Sequence, residues 1–170
     1  MIRRKILDTL EGQASEGIYR NVVLMTSFLS PRIRRWLTEG NPNVNMYMMY
    51  CAPEKALMNA HHRSQIDGRQ LSTERVLDSV RDLAVTLRFM LGVEIGTGNN
   101  LKFQVIDTSN AAFSGPDDAP VMTGENIVLT ADDTNGVQIK DLAACEAVYR
   151  GYYLNPKAEN PGALYNSSAE

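Results

Sequence analysis

The sequence predicts an α/β fold: a single domain whose mixed, mainly parallel sheet is flanked by helices. Short runs of apolar β-formers alternate with stretches of helical periodicity, the pattern of strand-helix-strand units. The chain has 170 residues, about one domain. Its 44% hydrophobic and 22% charged content suits one real core, so collagenous and wholly disordered readings fall away.

Ile2, Ile6, Leu7 and Leu10 recur at helical spacing, so residues 2–11 read as an amphipathic helix ending near Gly12. Residues 21–28, NVVLMTSF, carry apolar side chains on both alternating faces, which suits a central strand. Ser30 before Pro31 opens a short helix through Trp36 and Leu37 that stops at Gly40. After Asn41-Pro42-Asn43, residues 44–51, VNMYMMYC, read as a second strand with both faces apolar, completing a right-handed parallel unit. Residues 53–65 read as a helix leading into a polar loop.

A long helix starts at a Ser72 or Thr73 cap and closes at Gly92, with Val76, Leu77, Val80, Leu83, Ala84, Leu87, Met90 and Leu91 along one face. Residues 93–95 and 101–107 follow as strands joined by a Gly/Asn-rich turn, and residues 109–119 as a loop. Residues 120–130, PVMTGENIVLT, offer further strand material, and residues 137–139 follow an Asn135-Gly136 turn. The last helix, residues 141–153, places Leu142, Cys145, Val148, Tyr149 and Tyr152 on one face. Residues 1–153 thus form the domain and 154–170 a C-terminal surface arm or frayed tail.

Net charge is -3, which gives no global attraction to nucleic acid or anionic lipid. The distribution is uneven: residues 1–100 hold 13 Lys/Arg against 10 Asp/Glu, residues 101–170 hold 4 against 10. Basic clusters at Arg3, Arg4, Lys5 and at Arg32, Arg34, Arg35 read as solvated helix faces that also suit phosphate. The longest uncharged apolar stretch, residues 21–31, is far short of the ~20 residues a membrane helix needs, so no membrane partner is expected. Asp8 and Glu11 interrupt the start before an apolar signal segment forms, and a cytoplasmic location follows as the expectation. Cys51 and Cys145 are far apart and read as reduced thiols. His61 and His62 are adjacent on a helix, so they point about 100° apart and cannot chelate one metal from one face. Neither metal nor cofactor is expected.

P-loop, dinucleotide, zincin and hydrolase-elbow motifs are absent. What remains is Asn100-Leu101-Lys102-Phe103-Gln104-Val105-Ile106-Asp107, an N-x-K-x4-D spacing at the start of a strand, where alternation sends Asn100 and Lys102 to one side. A lysine there suits a phosphate. The segment resembles the H-x-K-x4-D signature of the phospholipase D superfamily, with Asn100 standing where that family has its histidine. The order of elements before the motif is similar to that of single-motif nucleases in the family. PVMTGEN resembles the downstream G-S-x-N, with Thr123-Gly124 at the G-S place and Asn126 at the asparagine.

The resemblance implies a phospholipase D-like fold over residues 1–153. It implies a site of Asn100, Lys102, Asp107 and Asn126, with Lys102 and Asn126 holding phosphate, and a homodimer whose lysines face a shared groove. The departure at Asn100 bears on the chemistry, because an amide nitrogen has no lone pair to attack phosphorus and does not titrate near neutrality. Losing an acid/base alone typically costs ~10²- to 10⁴-fold. The leading expectation is therefore a degenerate domain that binds phosphodiesters, nucleic acid in preference to lipid, or serves in assembly. A second reading is a family nuclease, deliberately inactivated at Asn100 or still active with His61 or His62 as nucleophile. A third is a non-catalytic structural subunit.

Overall fold

The residues described by the computed structural model are Asp8, Gly12, 44–68, 70–92, 101–110, 126–132 and 134–166. Asp8 and Gly12 are both helical. The elements read at residues 21–28, 30–40 and 93–95, the loop 111–119 and the Thr123-Gly124 place lie outside the described residues, as does Asn100.

Strand β1 is Val44–Tyr50, followed by helices α1, Pro53–Asp67, and α2, Thr73–Gly92. Strand β2 is Leu101–Asp107, β3 is Ile127–Asp132, β4 is Gly136–Ile139, and α3 is Leu142–Arg150. Single turns of 3-10 helix follow at Gly151–Tyr153 and Pro161–Ala163. The described residues thus form a small α/β domain with a four-stranded mixed sheet in the order β1-β2-β3-β4. β1 and β2 are parallel, joined through the α1–α2 crossover that parallel strands require. The other two junctions are antiparallel, so the expected mainly parallel pairing holds, among the described strands, at β1–β2 alone. The local cause at the last junction is a tight hairpin, where Gly136 takes the left-handed φ of 65°. Asp132 clamps it by accepting from the backbone N–H groups of Thr134 (2.9 Å) and Asn135 (2.7 Å).

Helix limits follow the local chemistry. Pro53 begins α1, where a missing N–H costs nothing, and Gly68 at φ 69° ends it. The Ser72 hydroxyl accepts from Arg75 N–H (3.3 Å) at the start of α2. Asp141 caps α3 by accepting from Ala144 N–H (2.9 Å). The end of the last expected helix tightens to 3-10 at Gly151, which is buried against α2; a Cβ there would lie 3.4 Å from that of Ala84.

The core lies between α2 and the sheet. Leu77, Leu87 and Met90 of α2 meet Met48 and Tyr50 of β1, Phe103 and Val105 of β2, and Val128, Leu129 and Ala131 of β3. Val76 and Leu83 are half-buried and Leu91 is exposed, so the apolar face of α2 is narrower than its sequence pattern, while Thr86 is buried with it. β1 is not covered on both faces as expected: Asn45, Tyr47 and Met49 are exposed, whereas Val44 and Met46 pack half-buried against the core and Met48 and Tyr50 are fully buried at the strand's end. Residues 154–166 fold back onto the domain. Leu154 and Leu164 are buried, Leu154 bridges Tyr165, and Asn155 N–H donates to Leu164 O (2.9 Å). Among the described residues no helix is long and apolar enough to cross a membrane.

Candidate functional site

Because β1 and β2 are parallel and in register, Tyr50 and Asp107 end side by side. The C-terminal ends of parallel strands are where α/β folds open crevices. The chain leaving β2 is tied back at once. Thr108 gives both its backbone N–H and its hydroxyl to Tyr50 O, each at 2.7 Å. Ser109 turns its backbone N–H (2.8 Å) and hydroxyl (2.5 Å) onto Asp107 Oδ1, an Asx turn. The same Ser109 Oγ accepts from Ala52 N–H (2.8 Å), the residue preceding α1. A relay from Ala52 through Ser109 to Asp107 thus locks the start of α1 to the end of β2.

Beside this knot lies a cleft of about 130 Å³. Asp107, Asn110, Asn126 and Asp141 supply its polar lining, and Ile127, Val128 and Ala144 its apolar wall. Asp141 is at the same time the α3 cap. Two carboxylates with no cation among the lining residues favour a neutral or cationic group and repel a phosphate. Among the described residues no three His, Cys, Asp or Glu side chains gather to hold a metal ion.

Asp107 and Asn126 therefore share one cleft, and Lys102 stands apart from them. Five residues separate Lys102 from Asp107 along β2, a rise of about 17 Å. Strand alternation also sends Lys102 and Asp107 to opposite faces. Lys102 is exposed, beside Asn45 of β1, and its positive charge contributes to holding the Asp132 carboxyl below the usual range. The larger cause of that depression is the Asn135 amide, which donates to both Asp132 oxygens at 3.1 Å. His61 and His62 are exposed on α1, and His61 Nε2 lies 3.1 Å from Gln65 Nε2. His61 is nine residues beyond Ala52, about 13 Å of helical rise from the knot at the α1 start.

Two thiols border these elements. Burial pushes the Cys51 thiol up, the Asp107 carboxylate adds to the rise, and Lys55 opposes it. Burial, with Glu146 and Asp141, does the same for Cys145.

A second cluster lies where the turn after α3 meets α2. The Arg88 guanidinium sits over the Tyr152 ring at 5.1 Å from its centroid. Tyr153 meets Tyr152 edge-on, centroids 5.4 Å apart at 83°. All three side chains are exposed. Close by in sequence, Arg150 stacks over Tyr165 at 4.3 Å, pinning the returning segment. Helical period sets Tyr152 on an apolar face and gives no sign of its arginine partner, since an i-to-i+64 pairing leaves no periodic signal. Ser109 is equally hidden, at the head of a stretch legible only as a loop, and Thr108 carries no signal of its own between that loop and the strand.

Comparison with protein-family models, with curated proteins and with solved structures finds no match to this chain.

Proposed function

We propose that the chain is a non-catalytic, phospholipase D-like binding module whose ligand is a single-stranded nucleic acid. The observation that carries the non-catalytic part is Asn100, an amide where the resembled signature has its nucleophilic histidine. With Asn100 in place of a nucleophilic imidazole, no group in the motif attacks phosphorus, and the lysine that would neutralise the phosphoryl charge is remote from the amide that would orient it. The acidic cleft points the same way, since it repels the anion such an enzyme must bind.

What supports nucleic acid as the ligand is the exposed Arg88–Tyr152–Tyr153 cluster. Exposed aromatic faces beside an arginine accept stacked bases and a neighbouring phosphate, the pattern by which single strands are held without sequence readout. The net charge of -3 makes this a local attraction, so binding should be weak and lost readily to salt.

The test is fluorescence anisotropy of a labelled single-stranded oligonucleotide at low and moderate salt, together with a cleavage assay in EDTA and in magnesium. Expected are salt-sensitive binding, a loss of about tenfold in affinity on Tyr152→Ala, and no cleavage in either buffer. Cleavage that disappears on Lys102→Ala would establish the nuclease reading instead. No binding even at low salt leaves the structural-subunit reading.

A further inference from the structure

Among the described strands β4 forms one edge of the sheet, opposite β1, and its hydrogen-bond phase can be read from one contact. Lys140 N–H donates to Val128 O (2.9 Å) in continuation of the register Leu129↔Ile139, Thr130↔Gln138, Asp132↔Gly136. Antiparallel ladders alternate, so Gly136, Gln138 and Lys140 turn their backbone groups toward β3. Val137 and Ile139 therefore turn theirs outward. Their side chains are also bare, 44% and 51% exposed, although their register partners Ala131 and Leu129 on the same sheet face are 2% and 1% exposed. The core face of the sheet thus runs out past its cover at this edge. Leu142, 63% exposed, extends the apolar surface at the start of α3.

Edge strands are commonly protected by a charge, a proline or a bulge within them. Residues 136–139, GVQI, contain none of these. The charges stand on either side instead: Lys140 follows the strand, and Asp132 lies in register with Gly136.

We propose that β4 pairs antiparallel with β4 of a second copy, about a two-fold axis through Gln138. Val137 then faces the partner's Ile139, and the two pairs exchange four backbone hydrogen bonds between groups that β3 does not use. The same register sets Lys140 opposite the partner's Gly136. A glycine has no side chain to intervene, so each ammonium reaches across it toward the partner's Asp132, and opposite charges meet twice. A parallel register would stack Lys140 on the partner's Lys140, which disfavours it. This interface differs from a groove between two Lys102 side chains: β2 is flanked by β1 and β3 and has no free edge to offer. It is also independent of the Arg88–Tyr152 surface.

Four residues a side make a small interface, so the dimer is reversible, with a population that rises through the micromolar range. Sedimentation of the full chain over a concentration series tests it, alongside amide hydrogen exchange. Exchange at Val137 and Ile139 should slow as concentration rises, whereas Gln138, bonded to β3 in either state, should not change. Ile139→Pro removes only an outward N–H and should give a folded monomer. Lys140→Glu replaces an ammonium that among the described residues donates to Gln138 (2.7 Å), and should weaken the dimer without touching the backbone. A chain that sediments as a monomer at every concentration overturns the proposal. So does a dimer that forms while Val137 and Ile139 exchange at a constant rate, or one that survives both substitutions in folded protein.

Discussion

The two ends of β2 differ in how they are held. At the Asp107 end the chain is tied on three sides: to Tyr50 through Thr108, to Ala52 through Ser109, and to itself through the Asx turn. At the Lys102 end the side chain is exposed, and its charge acts on the Asp132 carboxylate. A spacing that looks like one motif in sequence thus spans two environments, one organised and acidic, the other open and basic. The reason is geometric: a strand alternates faces and extends, so residues an odd number apart end on opposite sides and far from one another. Motif members converge only when a neighbouring strand brings the second group back to the first, and here β3 begins at the Asp107 end.

The largest expected effect sharpens the contrast between the two sides of the strand. Phe103 is 1% exposed and sits in the core, one residue from exposed Lys102. Phe103→Ala should destabilise the domain by about 3–5 kcal/mol through lost burial and a residual cavity. Lys102→Ala should leave stability within about 0.5 kcal/mol. Urea midpoints of the two variants measure both, and a comparable loss for Lys102→Ala would mean that the basic end is tied into the structure after all.

A smaller effect separates the ties at the organised end. Ser109→Ala removes the acceptor of Ala52 N–H and one donor to Asp107 together, in a half-buried setting, and should cost about 1–2 kcal/mol. Thr108→Val keeps the backbone N–H on Tyr50 O, so the loss should be nearer 0.5–1.5 kcal/mol. Chemical unfolding of the pair decides the order. If Thr108→Val is the more damaging, the strand-to-strand tie outweighs the Ala52–Ser109–Asp107 relay.

Local elements were legible because their signals are local. Alternation gave β2, the 3.6-residue period of Leu77, Val80, Ala84 and Leu87 gave α2, and Asn135-Gly136 gave the hairpin into β4. What was not legible depends on distant partners. Nothing within NPKAENPGALYN marks Leu164 as a core residue, since it is a lone branched aliphatic side chain in a stretch with no helical or strand period, and its burial is decided by where Leu154 and Arg150 bring it. The antiparallel partner of β2 was obscure for the same reason, because pairing is set by closure of the segment between Asp107 and Asn126 and not by the strands' own patterns. At the candidate site, the polar identity of Asp107 and Asn126 was readable, whereas their company with Asp141 was not, because Asp141 is placed by the cap it makes for α3.

The smallest effect tests whether Asp107 shapes its surroundings electrically as well as by hydrogen bonds. Burial is the first cause of the raised Cys51 thiol and Asp107 the second; for Tyr50, pushed well above the usual phenol range, burial again leads, followed by Tyr165 and Asp107. In both groups the fold favours the neutral, protonated form. Their contribution to stability is therefore fully present below the unfolded chain's thiol pKa, about 8.5, and is lost as pH rises toward the folded values, because the unfolded chain ionises first. Thermal unfolding should accordingly be insensitive to pH just below that point and decline above it. Cys51→Ala should make the early part of the decline shallower, leaving the share due to Cys145. Asp107→Asn, whose amide oxygen still accepts from Ser109, should do so to a lesser degree, since it removes the second cause and leaves burial. A decline unchanged by Cys51→Ala would place its origin in other groups. One relieved more by Asp107→Asn than by Cys51→Ala would make the carboxylate, and not burial, the dominant influence at this end of β2.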